Sequence, residues 1–448
     1  MHPSSRLKWI ALALTLAIVA ALAALIFALR ANPEAVTAAY NAASADLRDR
    51  DYDRPQSPGL TFTPGQAAER YRHALDLSTK DRDFEQAALD ALNLKGEEPL
   101  DTPHPRPPAC LALGVPEDSV DPVTTGLDEE LCAALADMAP ALDALLQGAS
   151  MRDARSVLHI WSQPISPSPG LRILHLARFA ALRAHILGLK GDRAAQRRDL
   201  TALLRVGHDL SRGGGLLASM IGAAVVQMAL EALAGLLEAR ALDLDGLKAL
   251  QTQLHHVNLR PLSAWEAHEA EYVLTAAPFL DEDKILRPPG ALSLGQSFGV
   301  FERIVANSHI KHQHKLFEAW RATSAMSWKD RSASLAPAYD EINASINPTT
   351  KLMNVAWEDH DLEITATASA AALLEIVAAV ERHAAETGRL PASLDALPGP
   401  LPRDPLNGQP FALQADPLGL ELRSVALDDP TIEPKVAHLL AFSFAPLP

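Results

Sequence analysis

The residues best equipped for chemistry are histidines and carboxylates that lie close together along the chain. His309, His312 and His314 form an H-x-x-H-x-H run. Neutral imidazoles ligate transition metals. On a helix, His309 and His312 share a face three positions apart, while His314 points elsewhere. Lys311 and Lys315 flank the run and oppose a bound cation. His309 and His312 are therefore the metal candidates of this sequence, set against the plainer reading of a solvated polar helix face. His255 and His256 are adjacent and must face different ways on a helix. Glu358-Asp359-His360-Asp361 could hold a divalent cation through oxygens, but its context reads as a solvated linker before the last helix. Asp243-x-Asp245-Gly246 has part of a calcium loop without the remaining ligands, and reads as a helix N-cap.

The paired-histidine zinc pattern and the Walker phosphate loop are missing from the sequence. There is no H-E-x-x-H, since His268-Glu269 lacks the second histidine. Gly213-Gly214-Gly215 is not followed by Lys-Ser/Thr and reads as a turn. No cofactor is implied. The chain has two cysteines, Cys110 and Cys132. They are either two unrelated small apolar residues or one disulfide closing a Pro-rich loop in an oxidising compartment.

The elements that must position these residues are mostly helical. Hydrophobic residues make up 48% of the 448 positions but aromatic ones only 5%. Ala and Leu dominate, and both are strong helix formers. A formal net charge of −15 repels the nucleic-acid backbone and argues against nucleic acid as a partner. Trp9 to Leu29 is an unbroken uncharged stretch, and about 20 apolar residues suffice to cross a bilayer as a helix. Arg6 and Lys8 precede it, so the positive-inside rule places the N-terminus in the cytoplasm and the bulk outside. The competing reading is a cleaved signal peptide, whose apolar core is usually shorter and which needs small residues near Leu29-Arg30-Ala31. The expected location is thus the inner membrane, single-pass, with a periplasmic or extracytoplasmic bulk held to the lipid bilayer by residues 9–29. Gly213 to Leu230 also lacks charge, but its glycines, Ser219 and Gln227 suit a buried core helix.

Four regions are expected: a cytoplasmic tip and anchor over 1–30, a Pro-rich helical and loop region over 31–170, a helical-hairpin domain over 171–360, and a C-terminal module over 361–448. Thr63-Pro64-Gly65 should start a helix through Tyr71 and Leu75. Ser162 to Gly170 is a breaker. Helices are expected over Leu171–Leu189, Asp192–Leu210 and Gly215–Leu237, turned at Gly191-Asp192 and at Gly213–Gly215. Another should start at Asp243, one at Pro261 and one at Phe301. Residues 321–350 are weak and polar. A long helix follows from Leu362 to Glu386, stopped at Gly388. Asn407-Gly408 then turns the chain into short strands at Phe411–Gln414 and Leu420–Val425. The fold class is mainly α with a small C-terminal α+β module.

The run E-T-G-R-L-P-x-S-L-D-A-L followed by L-P-x-D-P-x-N-G-x-P-F resembles the C-terminal half of the type II secretion major pseudopilin. Glu386, Gly388, Pro391, Leu394, Leu397, Asp404, Pro405, Asn407, Gly408 and Phe411 carry the resemblance, over about the last 75 residues. It implies a long helix, a Gly stop and a D-P-x-N-G turn feeding a small antiparallel sheet. The prepilin-peptidase site of that family is missing from the N-terminal segment. The family's calcium loop is reduced to Asp428-Asp429. The functional expectation is a non-catalytic envelope interaction or scaffold protein, with envelope or secretion proteins as partners. The alternatives are a secretion or pilus-associated component, and an envelope enzyme whose site residues are scattered.

Overall fold

In this computed structural model the described residues are 32–56, 58–78, 129–159, 167–280, 299–344, 348–416, 419–429, 432 and 437–444. The expected anchor at residues 9–29 and Cys110 lie outside them. The described chain is mainly helical, with eleven α-helices and a small antiparallel sheet near the C-terminus. In chain order these are α1 (Pro33–Asp49), β1 (Thr63–Gln66), α2 (Ala67–Ser78), α3 (Glu129–Gly148), β2 (Met151–Asp153), α4 (Pro167–Leu189), α5 (Arg193–Ser211) and α6 (Gly215–Glu238). There follow α7 (Leu244–Asn258), α8 (Ala264–Leu280), α9 (Gly299–Thr323), α10 (Trp328–Asn343), α11 (Pro348–Thr387), β3 (Ala412–Asp416), β4 (Gly419–Arg423) and β5 (Ala441–Phe444).

The described residues form two compact units. One takes residues up to Arg50, His268–Ala325 and Arg331–Glu358; the other takes Asp51–Ala267, Met326–Asp330 and Asp359–Pro448.

Local signals set the helix ends in the second unit. Asp192 caps α5, its side chain accepting from Ala195 N at 2.9 Å. Gly191 just before it takes φ +82°, a conformation that suits glycine at a helix stop. Asp243 caps α7 by accepting from Gly246 N at 2.8 Å. These turns make α4, α5 and α6 successive packed neighbours. The α5–α6 contact is tight because Gly207 faces Gly222. A Cβ on Gly207 would stand 2.6 Å from the Gly222 carbonyl oxygen. Two described helical stretches are long and apolar enough to cross a membrane, α6 and Asp359–Thr387 within α11. The apolar window of the second is 94% buried inside the protein and that of the first 56%. Core helices of a helical body meet the same length and composition test.

Several boundaries differ from the sequence expectation. Thr63 to Gln66 is not helical but pairs with Met151–Asp153 as a short parallel ladder, and α2 starts only at Ala67. Pro167 lies inside the expected breaker yet opens α4, at a position where its missing N–H costs nothing. The stretch 321–350 contains α10, opened by Ser327, whose Oγ accepts from Asp330 N at 3.3 Å. The last long helix starts at Pro348 rather than Leu362 and runs 40 residues. The acidic cluster 358–361 is therefore helical rather than a linker, with His360 and Asp361 buried.

The C-terminal sheet has the order β3-β4-β5, all antiparallel; β5 was not expected from the sequence. Asp404 locks the loop before it. Fully buried, its carboxylate accepts from Ser369 Oγ on α11 at 2.6 Å, from Leu406 N at 2.9 Å and from Ser424 Oγ after β4. The Pro405 and Leu406 carbonyls in turn accept from Trp328 N and Lys329 N at the start of α10.

Candidate anion-binding cleft

The described residues contain no group of three or more His, Cys, Asp or Glu able to hold a metal ion. The sequence candidates are placed as follows. In the first unit, His312 is buried and its Nδ1 bonds the Ser308 carbonyl at 2.6 Å. His309 is half-buried, its pKa lowered to about 4 by burial and then by nearby His312. His314 Nδ1 lies 3.0 Å from the Tyr272 hydroxyl. His268 is stacked between the rings of Trp320 and Trp357, at 3.7 and 3.6 Å between centroids. Glu269 is paired with Arg50. Cys132 is buried in α3 and disulfide-bonded.

The chemically unusual site lies in the second unit, where arginines rather than histidines converge. The ladder of β1 on β2 and the bridge of Asp53 to Asp153 fix the segment 52–63 beside β2. Arg54 N donates to the Arg152 carbonyl at 2.9 Å. Its side chain turns inward: Nε donates to the Met151 carbonyl at 2.8 Å and Nη2 to Asp209 Oδ2 at 2.5 Å. Tyr71 on α2 donates to the same Asp209 oxygen at 2.5 Å. Arg205 lies one helical turn before Asp209 on α5, so the two share a face. From α7 comes His256, and just beyond it Arg260. Arg212, at the end of α5, completes the ring.

A small cavity of about 20 Å³ is lined by Arg54, Arg205, His208, Arg212, His256 and Arg260, among others. That is room for about one water-sized group. Arg54 also lines a larger cleft of about 540 Å³, whose other walls include Pro58, Leu60, Phe62 and Arg152. The half-buried Phe62 ring lines the larger cleft and lies near three residues of the smaller one. It lies 5.5 Å from the Arg54 guanidinium carbon, 5.7 Å from that of Arg205 and 5.0 Å from the His256 ring.

Charge is unevenly matched here. Arg54 is bonded to Asp209, Arg212 to Glu266 at 3.2 Å and Arg260 to Asp51 at 3.2 Å. Among the described residues no carboxylate is bonded to Arg205, whose Nε donates only to the Thr201 carbonyl at 3.3 Å. Burial, and then the positive Arg54 beside it, pull the Arg205 pKa down to about 10. Burial works against the Arg54 charge as well, but Asp209 and Tyr71 outweigh it and hold that guanidinium above its usual range. Burial raises Asp209, with Arg54 offsetting part of the rise. His256 is lowered to about 4 by burial, then by Arg205, Arg54 and Arg260. His208 is lowered to about 3 by burial and by Arg212. Both imidazoles are neutral at pH 7, and His208 Nε2 is bonded to the Arg260 carbonyl.

The arrangement can attract and orient an anion: a half-buried guanidinium that is bonded to no carboxylate, with Asp209 one turn away offsetting only part of its charge, gains from binding one. The sequence reading passed over it because Arg54, Phe62, Arg205 and His256 are far apart in the chain and form no motif. His255 and His256 do point apart as adjacency requires. His255 Nδ1 lies 2.9 Å from Glu375 Oε1, while His256 enters the cleft. No family description, curated protein or solved structure matches this chain.

Proposed function

We propose that the protein is a non-catalytic binding protein of the cell envelope that captures an anionic group in the Arg54–Arg205 cleft. The single observation behind this reading is Arg205, half-buried beside three other guanidiniums and bonded to no carboxylate among the described residues. The uncharged stretch Trp9–Leu29, preceded by Arg6 and Lys8, supports a single-pass inner-membrane anchor with the cleft on the periplasmic side. The pattern from Glu386 to Phe411 favours a second reading, in which the C-terminal residues act as a pseudopilin-like element that engages secretion or pilus proteins.

The test titrates the full-length chain in detergent with acetate, sulfate and inorganic phosphate, followed by calorimetry. Saturable binding of at least one anion, lost in Arg205→Gln while the ligand-free melting temperature is unchanged, supports the reading. Absence of binding by all three overturns it.

A further inference from the structure

Building on the cleft as an anion site, we propose that its ligand is a small organic monocarboxylate with an apolar body of aromatic size. The carboxylate would sit between Arg205 and Arg54, and the body against Phe62, Leu60 and Pro58.

Three features select this chemistry. The first is charge. Four guanidiniums line the inner cavity and three of them are already bonded to carboxylates. One positive charge remains, which a monoanion neutralises and a dianion would exceed. The neutral state of His208 and His256 near pH 7 adds nothing to that balance. The second is size. The cavity beside Arg205 has about 20 Å³, room for about one oxygen of an anion, so a flat carboxylate that places one oxygen there is accommodated more readily than a tetrahedral phosphoryl group with three. The guanidinium fork also matches a carboxylate two-to-two. The third is the neighbouring surface. Arg54 lines both spaces, so an anion held on its cleft side would have its substituent in the 540 Å³ cleft, beside Leu60, Pro58 and the Phe62 ring, with Gln56, Thr61 and Arg152 completing the walls. Binding pockets commonly combine an apolar body site with one or two convergent polar groups. The aromatic ring that spans both guanidiniums would stack on a planar body.

The experiment is calorimetric titration of the full-length chain in detergent with 3-phenylpropionate, acetate, inorganic phosphate and uncharged 2-phenylethanol. The expected order is 3-phenylpropionate about tenfold or more tighter than acetate or phosphate, with 2-phenylethanol not binding. Arg205→Gln and Arg205→Lys should each weaken 3-phenylpropionate about tenfold, since lysine keeps the charge but loses the fork. Phe62→Ala should bring 3-phenylpropionate close to acetate, and it probes the site even if the Arg205 variants fail to fold. Tighter binding of phosphate than of either carboxylate, lost in Arg205→Gln, overturns the carboxylate proposal and leaves the anion reading standing. Equal affinity for 3-phenylpropionate and acetate overturns the apolar body. Binding indifferent to both Arg205 and Phe62, or no anion binding, overturns the proposal and the anion reading together.

Discussion

Replacing Asp404 with alanine removes a group that ties α11, the loop before the C-terminal sheet and the end of β4 together. In the folded chain its carboxylate is fully buried and accepts from Ser369 Oγ, Leu406 N and Ser424 Oγ. Hydrogen bonds to a charged acceptor contribute about 1.5–3 kcal/mol each, and bonds that share one acceptor are not additive. The alanine variant also leaves two buried serine hydroxyls and one amide seeking partners. A loss of about 4 kcal/mol follows. At roughly 2–4 °C per kcal/mol for a unit of this size, the melting temperature should fall by about 10 °C. The assay is thermal unfolding of the full-length protein in detergent, followed by circular dichroism. Asp395→Ala, at an exposed position in the same segment, is the control and should stay within about 0.5 kcal/mol of the parent. Hydrogen exchange should show amides of 404–429 opening first in the Asp404 variant. A melting temperature within about 2 °C of the parent would refute the assignment of Asp404 as the lock of this region.

Three further outcomes follow from the packing and the titrating groups. Gly207→Ala should destabilise by several kcal/mol, on the order of 3, because its Cβ meets backbone atoms of Gly222 and Val226 at 2.6 and 2.7 Å; a soluble, normally melting variant would contradict the close α5–α6 crossing. Tyr71→Phe should cost about 2 kcal/mol by removing a donor from buried Asp209, read as a shift in urea midpoint at constant slope. His208 and His256 fold with pKa values lowered from 6.5 to about 3 and about 4, chiefly by burial. As pH falls the unfolded chain takes up these protons first. The stability is therefore fully present above pH 6.5 and is lost progressively as pH drops from 6.5 to 4 for His256, and on to 3 for His208. The loss is on the order of 3 kcal/mol for His256 and 5 kcal/mol for His208 once both folded-state values are passed, and a melting temperature that stays flat from pH 7 to pH 4 would refute their neutral burial.

Much of the fold could be read along the chain because its signals act within a few residues. Asp192 and Asp243 sit where their side chains reach the first free amides of α5 and α7, and Gly191, Gly213 and Gly388 supply the positive φ of the stops. The Ala- and Leu-rich composition was enough to place helices on helices. The sequence also pointed to the turn at Asn407-Gly408 and to two of the three C-terminal strands. It misplaced features that depend on remote partners. Thr63–Gln66 becomes a strand only because Met151–Asp153 lies beside it. The acidic run 358–361 reads as a linker by itself, yet it lies inside α11. The cleft is the extreme case. Lone arginines far apart in sequence normally mean solvated surface, and no spacing rule joins Arg54 to Phe62, Arg205 and His256. Only the packing of α5 with α7 and the pairing of β1 with β2 bring these four together. That burial gives Arg205 an unbalanced charge, which composition and local pattern do not record.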